Sequence, residues 1–212
     1  MSPFFRRVTY STKEGIVIWY VLSCKAQEEY EILNICYAVL SAKAMKKGFV
    51  LTYDCLRRYE GEWHPERKIL FPAQIFLESE NGSALSEEVR RCPDLRKNEL
   101  FSVSMDEEML LKKLCGERGN LGMSKGILRK GVPKIILGPL KGMENHIRKI
   151  DRHKRLARVG TLADFVRRDE TRDDMRNPSK SLSDIEDLSA YPMEEWGLRY
   201  IMAGLEITDK II

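Results

Sequence analysis

The stretch Gly116-Glu117-Arg118-Gly119-Asn120-Leu121-Gly122 holds three glycines and a single aliphatic side chain, and it divides the chain into two parts of different periodicity. Glycine-rich, core-poor segments of this kind interrupt helices and strands and mark domain boundaries. The division predicts one folded unit over residues 1–116, a connection over 117–128 and a second unit over 129–212. A chain of 212 residues with 43% hydrophobic content supplies enough apolar surface for two small cores.

In the first part, Ile16 to Leu22 is a continuous apolar and aromatic run, short enough for a buried strand. Ile32, Ile35, Cys36, Val39 and Leu40 then recur at helical spacing. Glu28, Glu29 and Glu31 stand at the start of that helix, and Lys46 and Lys47 precede Gly48, which predicts one long amphipathic helix. Phe49 to Tyr53 reads as a strand, Arg57 to Arg67 as a polar loop or hairpin tip, and Ile69 to Leu77 as a strand interrupted by Pro72. A short helix is expected from Ser86 to Arg91, stopped before Pro93, followed by a strand over Leu100 to Val103. Ser104-Met105-Asp106-Glu107 is a capping-box pattern that opens a helix ending near Gly116. This order predicts an α+β unit, an antiparallel sheet packed with helices.

The second part reads as a small β-barrel. Lys134 to Leu137, Ile147 to Ile150 and Leu156 to Val159 are short apolar strands, and Gly138-Pro139 makes a turn. An acidic segment from about 160 to 195 interrupts the pattern and is expected to be a flexible insertion. Strand-like sequence resumes over Trp196 to Ala203 and Leu205 to Ile207, in position to complete the barrel.

Charge follows the same division. Residues 1–118 carry 18 basic and 18 acidic side chains, 119–160 carry 11 basic and 2 acidic, and 161–196 carry 5 basic and 10 acidic. A dense basic block beside an acidic one points to a polyanion-binding surface next to a solvated segment. Its centre is Arg148-Lys149-Ile150-Asp151-Arg152-His153-Lys154-Arg155, where cations cluster at a strand-to-strand turn. Lys and Arg neutralise phosphates, and Arg and His also stack on unpaired bases, which suits RNA. Lys141, in the Gly138–Gly142 turn, is expected at the same end of the barrel.

The sequence lacks the nucleophile elbow, phosphate loop, dinucleotide fingerprint and zinc-helix patterns. His64, His146 and His153 are not spaced as metal ligands, and Cys24, Cys36, Cys55, Cys92 and Cys115 form no Cys-x-x-Cys pair. The expectation is a non-enzyme with no cofactor and no metal, cytoplasmic, monomeric and without a membrane span. Trp19, Tyr20 and Phe71 read as core aromatics on strands.

Trp19-Tyr20-Val21, Phe71-Pro72 and Gly138-Pro139-Leu140-Lys141-Gly142-Met143-Glu144 together resemble the NusG family of transcription elongation factors, with its N-terminal domain and KOW domain. Ile150-Asp151-Arg152-His153-Lys154-Arg155-Leu156-Ala157 and Gly204-Leu205-Glu206-Ile207 are similar to the LoaP subgroup, which prevents premature termination in long operons. The resemblance implies that Trp19, Tyr20 and Phe71 face the clamp helices of RNA polymerase. It also implies that the chain is a processive antiterminator whose partners include a hairpin of nascent RNA, which suits the charge reading that turns Lys141, Arg148, Lys149, Arg152, His153, Lys154 and Arg155 toward RNA. KOW modules also occur in ribosomal proteins, so a ribosome-associated or general RNA-binding protein is the alternative. Three features depart from the pattern: Phe71-Pro72-Ala73-Gln74 replaces Phe-Pro-Gly-Tyr, Asn145 stands where a glycine is usual, and the acidic segment from about Gly160 to Glu195 stands where the family has a short connection.

Overall fold

The computed structural model describes residues 5–7, 17–129, 132–160 and 200–209. The first sheet contains β1 (Phe5–Arg7), β2 (Ile18–Ser23), β3 (Lys47–Phe49), β6 (Gln74–Ser79) and β7 (Leu100–Val103), in the order β1-β7-β2-β6-β3 with every pair antiparallel. Because successive side chains on a strand point to opposite faces, β2 sends Trp19 and Val21 to one side and Tyr20 and Leu22 to the other. Both sides are buried, which explains the unbroken apolar run.

Helices α1 (Glu29–Val39) and α2 (Gly82–Arg91) cover the Tyr20 side, where Leu33, Cys36, Leu85 and Val89 meet Leu22, Ile75 and Leu77. Helix α3 (Met105–Cys115) covers the Trp19 side with Leu111, Leu114 and Cys115. Its N-terminus carries the expected capping box: Ser104 Oγ accepts from the Glu107 backbone N–H at 3.4 Å, and Glu107 Oε2 accepts from the Ser104 N–H at 3.1 Å.

One expectation for this part is corrected. The first helix ends at Val39 rather than running to Lys47, because Leu40 is extended and the Ser41 backbone N–H donates to Glu88 of α2 at 2.8 Å. Lys47 and Gly48 belong to β3. Of the two readings of 57–67, loop or hairpin tip, the structure shows the hairpin: β4 (Thr52–Tyr59) and β5 (Glu62–Ile69) pair continuously and turn at Glu60 (φ 52°) and Gly61 (φ 83°). Two positive φ values in succession are those of the two-residue turn that matches strand twist.

The connection expected over 117–128 is largely strand. β8 (Asn120–Leu121) pairs parallel with β4, and β9 (Ser124–Arg129) is already part of the next sheet. That sheet contains β9, β10 (Val132–Leu137), β11 (Ile147–Asp151), β12 (Leu156–Gly160) and β13 (Tyr200–Asp209), ordered β10-β9-β13-β12-β11 and curled into a half-barrel. β13 is a single strand through Gly204, not two. Its first half pairs with β12, with Gly160 opposite Tyr200, and its second half pairs with β9. The acidic segment expected as an insertion lies outside the described residues; Gly160 and Tyr200, the described residues that border it, are paired.

Leu140 and Met143, in the connection from β10 to β11, are buried, and the Glu144 carboxylate accepts the Ile135 N–H at 3.1 Å. Asn145 lies in a 3-10 turn, Glu144–His146, and not at a left-handed position. The left-handed positions of this loop are Gly138 (φ 99°) and Gly142 (φ 78°). One apolar cluster runs from Trp19 and Phe76 through Leu51 and Leu121 to Ile135, Ala157 and Ala203, so the two units share a core. No helix among the described residues is long and apolar enough to cross a membrane.

Candidate nucleic-acid interface and aromatic groove

The β11–β12 turn begins when the Asp151 carboxylate accepts the Lys154 backbone N–H at 2.8 Å, which fixes the tip and leaves Arg152, His153 and Lys154 exposed. Lys149 is also exposed, on β11. Arg155 behaves differently. It has φ 51°, pairs with Glu206 Oε1 at 2.7 Å and lays its guanidinium 4.3 Å from the ring centre of Trp63 on β5. It is an anchor for the tip rather than a free cation.

Arg148 is half-buried and sits by His146. Burial, then Arg148 and Lys113, hold the His146 imidazole below its ordinary pKa. Lys141 is exposed in the turn that leads into β11 at Ile147, whereas the tip leaves β11 at Asp151. The strand therefore separates the two loops along the chain.

The aromatic trio expected on one surface is divided between the faces of the first sheet. Trp19 and Phe71 belong to the α3-side cluster, and Tyr20 is buried against α2, where any side chain at Gly82 would strike its hydroxyl. All three are buried, with exposures of 4%, 5% and 6% for Trp19, Phe71 and Tyr20. Phe71 packs on Phe76 with ring centres 5.7 Å apart. A buried Phe→Ala change costs about 3–5 kcal/mol, so Phe71→Ala reports on folding before it reports on any partner.

Trp19 nevertheless forms the floor of a groove of about 630 Å³ bounded by Phe49, Glu78, Lys47, Lys112 and the 116–119 turn. Its indole Nε1–H donates to Glu78 at 3.0 Å, and Phe49 meets it edge-on at 4.8 Å. Lys112 and Lys47 stand over Trp19 and Phe49 at 5.3 and 5.4 Å. Met105 and Met109 share the helical stripe of Lys112 at i, i+4 and i+7, and are 70% and 58% exposed. Sequence reading missed Lys47, Lys112, Met105 and Met109, because their significance depends on which face of α3 and β3 the sheet leaves open.

Compared with models of known protein families and with curated proteins, the chain matches none. Among the described residues no group of three or more His, Cys, Asp or Glu is placed to hold a metal ion. Burial pushes the thiols of Cys36 and Cys115 up to about 12 and that of Cys24 to about 11, far from a reactive thiolate at neutral pH. These surfaces offer cations at a fixed turn and an aromatic groove bounded by Lys47 and Lys112.

Proposed function

We propose that this chain is a NusG-type regulator of transcript elongation, a LoaP-like processive antiterminator acting as a cytoplasmic monomer. In this reading the Trp19 groove and the Met105–Met109–Lys112 stripe dock on the clamp helices of RNA polymerase, while the β11–β12 tip holds a hairpin of nascent RNA. The observation that carries it is the Arg152–His153–Lys154 tip, held outward by Asp151 on a curled five-stranded sheet that shares its core with an α+β unit bearing an open aromatic groove. Polarizable, flexible methionines beside a rigid aromatic floor suit a helical partner, since they adapt to its ridges.

The RNA half is tested by fluorescence anisotropy with an RNA hairpin across a salt series. Replacing Arg152 and Lys154 together by alanine is expected to weaken binding severalfold and to lower the salt slope by about 2, roughly one per lost phosphate contact. Unchanged affinity with an unchanged slope removes the tip from the account.

A further inference from the structure

Residues opposed across an antiparallel pair share a face, and the β4–β5 register runs without a shift from Thr52 opposite Ile69 to Tyr59 opposite Glu62. One face of this hairpin therefore carries Asp54, Arg58, Trp63 and Arg67, and the other carries Arg57, Glu62, Glu66 and Lys68. The second face balances its own charge, with Arg57 and Lys68 both approaching Glu66, at 3.8 and 3.2 Å. On the first, Asp54 holds Arg67 at 2.8 Å, whereas no ion pair engages the exposed Arg58 among the described residues. The first face is also the one that meets the half-barrel. Arg155 lays its guanidinium 4.3 Å from the ring centre of Trp63, the cross-strand partner of Arg58. Glu206 pairs with Arg155 at 2.7 Å and with Lys125 at 3.7 Å. The Leu205 N–H donates to the Arg155 carbonyl at 2.9 Å, and Gly204 of β13 lies directly against the Asp54 backbone, with no room for a β-carbon. Lys154 precedes Arg155 in the chain, so one Arg–Trp pair stands between the exposed tip and Arg58.

We propose that the Trp63 face of the β4–β5 hairpin extends the RNA-binding surface, with Arg58 taking a backbone phosphate of the same RNA that the β11–β12 tip holds. This deepens the reading of that tip as an RNA contact and rests on it. Trp63 and Arg155 are positioning residues: Arg155 is tied to Glu206, and its guanidinium on Trp63 keeps the hairpin face beside the tip. Arg58 has no carboxylate to give up before it meets a phosphate, and its planar fork donates two parallel N–H bonds to phosphate oxygens. Two cations bracket Glu206 and offset its charge, whereas Glu62 and Glu66 on the opposite face repel a phosphate there. Arg57 and Arg58 are neighbours of equal formal charge, yet only Arg58 belongs to the surface.

The test is anisotropy of the full chain with a fluorescent RNA stem-loop across a salt series, comparing Arg58→Gln with Arg57→Gln. Both side chains are exposed, so neither change is expected to disturb the fold. Arg58→Gln is expected to weaken binding roughly fivefold at about 0.15 M salt and to lower the salt slope by about 1, the scale of one lost phosphate contact. Arg57→Gln is expected to bind as the parent does, and Arg58→Lys, which keeps the charge, to retain most of the slope. Equal losses in the two glutamine variants would assign the effect to net charge and overturn the proposal. An Arg58→Gln chain that binds as the parent does, while Arg152→Ala with Lys154→Ala loses binding, excludes the hairpin face and leaves the tip reading standing. If the parent does not bind the stem-loop, the tip reading and this proposal fall together.

Discussion

Ala73 holds φ 64°, a left-handed backbone in which a side chain costs about 1–2 kcal/mol. It is kept there from both sides: its N–H donates to Glu29 Oε1 at 2.7 Å, and its carbonyl accepts the Cys24 N–H at 2.9 Å. The turn after Phe71-Pro72 thus keeps a glycine-type geometry without the glycine. Ala73→Gly is expected to raise stability by about 1 kcal/mol in urea unfolding, after allowing for the greater freedom of glycine in the unfolded chain. Glu107 makes a second prediction. Burial pushes its carboxyl up to about 7, against the capping hydrogen bonds from Ser104 that pull it down. The folded state then binds more protons than the unfolded state between the ordinary carboxylate range and about pH 7, so its contribution is present at low pH and is lost as pH rises through that window. Glu107→Gln preserves the cap and is expected to flatten this fall in stability, read as the unfolding midpoint between pH 4.5 and 7.5.

At the scale of elements, the sequence was most legible where one local rule decided the outcome. The apolar run ending at Leu22 became β2, Leu100–Val103 became β7, and Ser104–Glu107 opened α3 with both reciprocal hydrogen bonds. It was least legible where tertiary partners decided. Lys46 and Lys47 looked like a helix end, but pairing of β3 with β6 claims that stretch as strand. Asn120 sits in a glycine-rich connection by sequence, yet its Nδ2 donates to Asp54 at 2.9 Å and its Oδ1 accepts from Thr52 at 2.8 Å, docking β8 on β4. Burial raises the Asp54 carboxyl, but the hydrogen bonds from Arg67 and Asn120 outweigh it and hold the group below its ordinary range. Asn120→Ala removes both bonds and is expected to cost about 2 kcal/mol, with faster amide exchange localised at β4 and β8. The cationic tip was readable because charge clusters in sequence. The aromatic groove was not, because Trp19, Phe49, Lys47 and Lys112 come together only when β2, β3 and α3 pack.

Over the whole molecule, one apolar cluster joins the first sheet to the half-barrel, and a shared core of this kind predicts that the two units unfold together. Amides of β2 and β6 and of β9 and β13 are therefore expected to exchange at the same global free energy. A half-barrel that opened first, at a clearly lower free energy, would show that the shared core does not couple them. Such coupling would fix the groove relative to the cationic tip, which the proposed bridging of polymerase and RNA requires. The most direct test is binding of the purified full chain to a reconstituted transcription elongation complex, compared with Lys112→Glu at the groove rim. The account predicts binding by the parent and a loss of about tenfold or more in the variant, with an unchanged circular dichroism spectrum. A folded parent chain that does not bind, or a Lys112→Glu chain that binds equally well, would contradict docking through this groove.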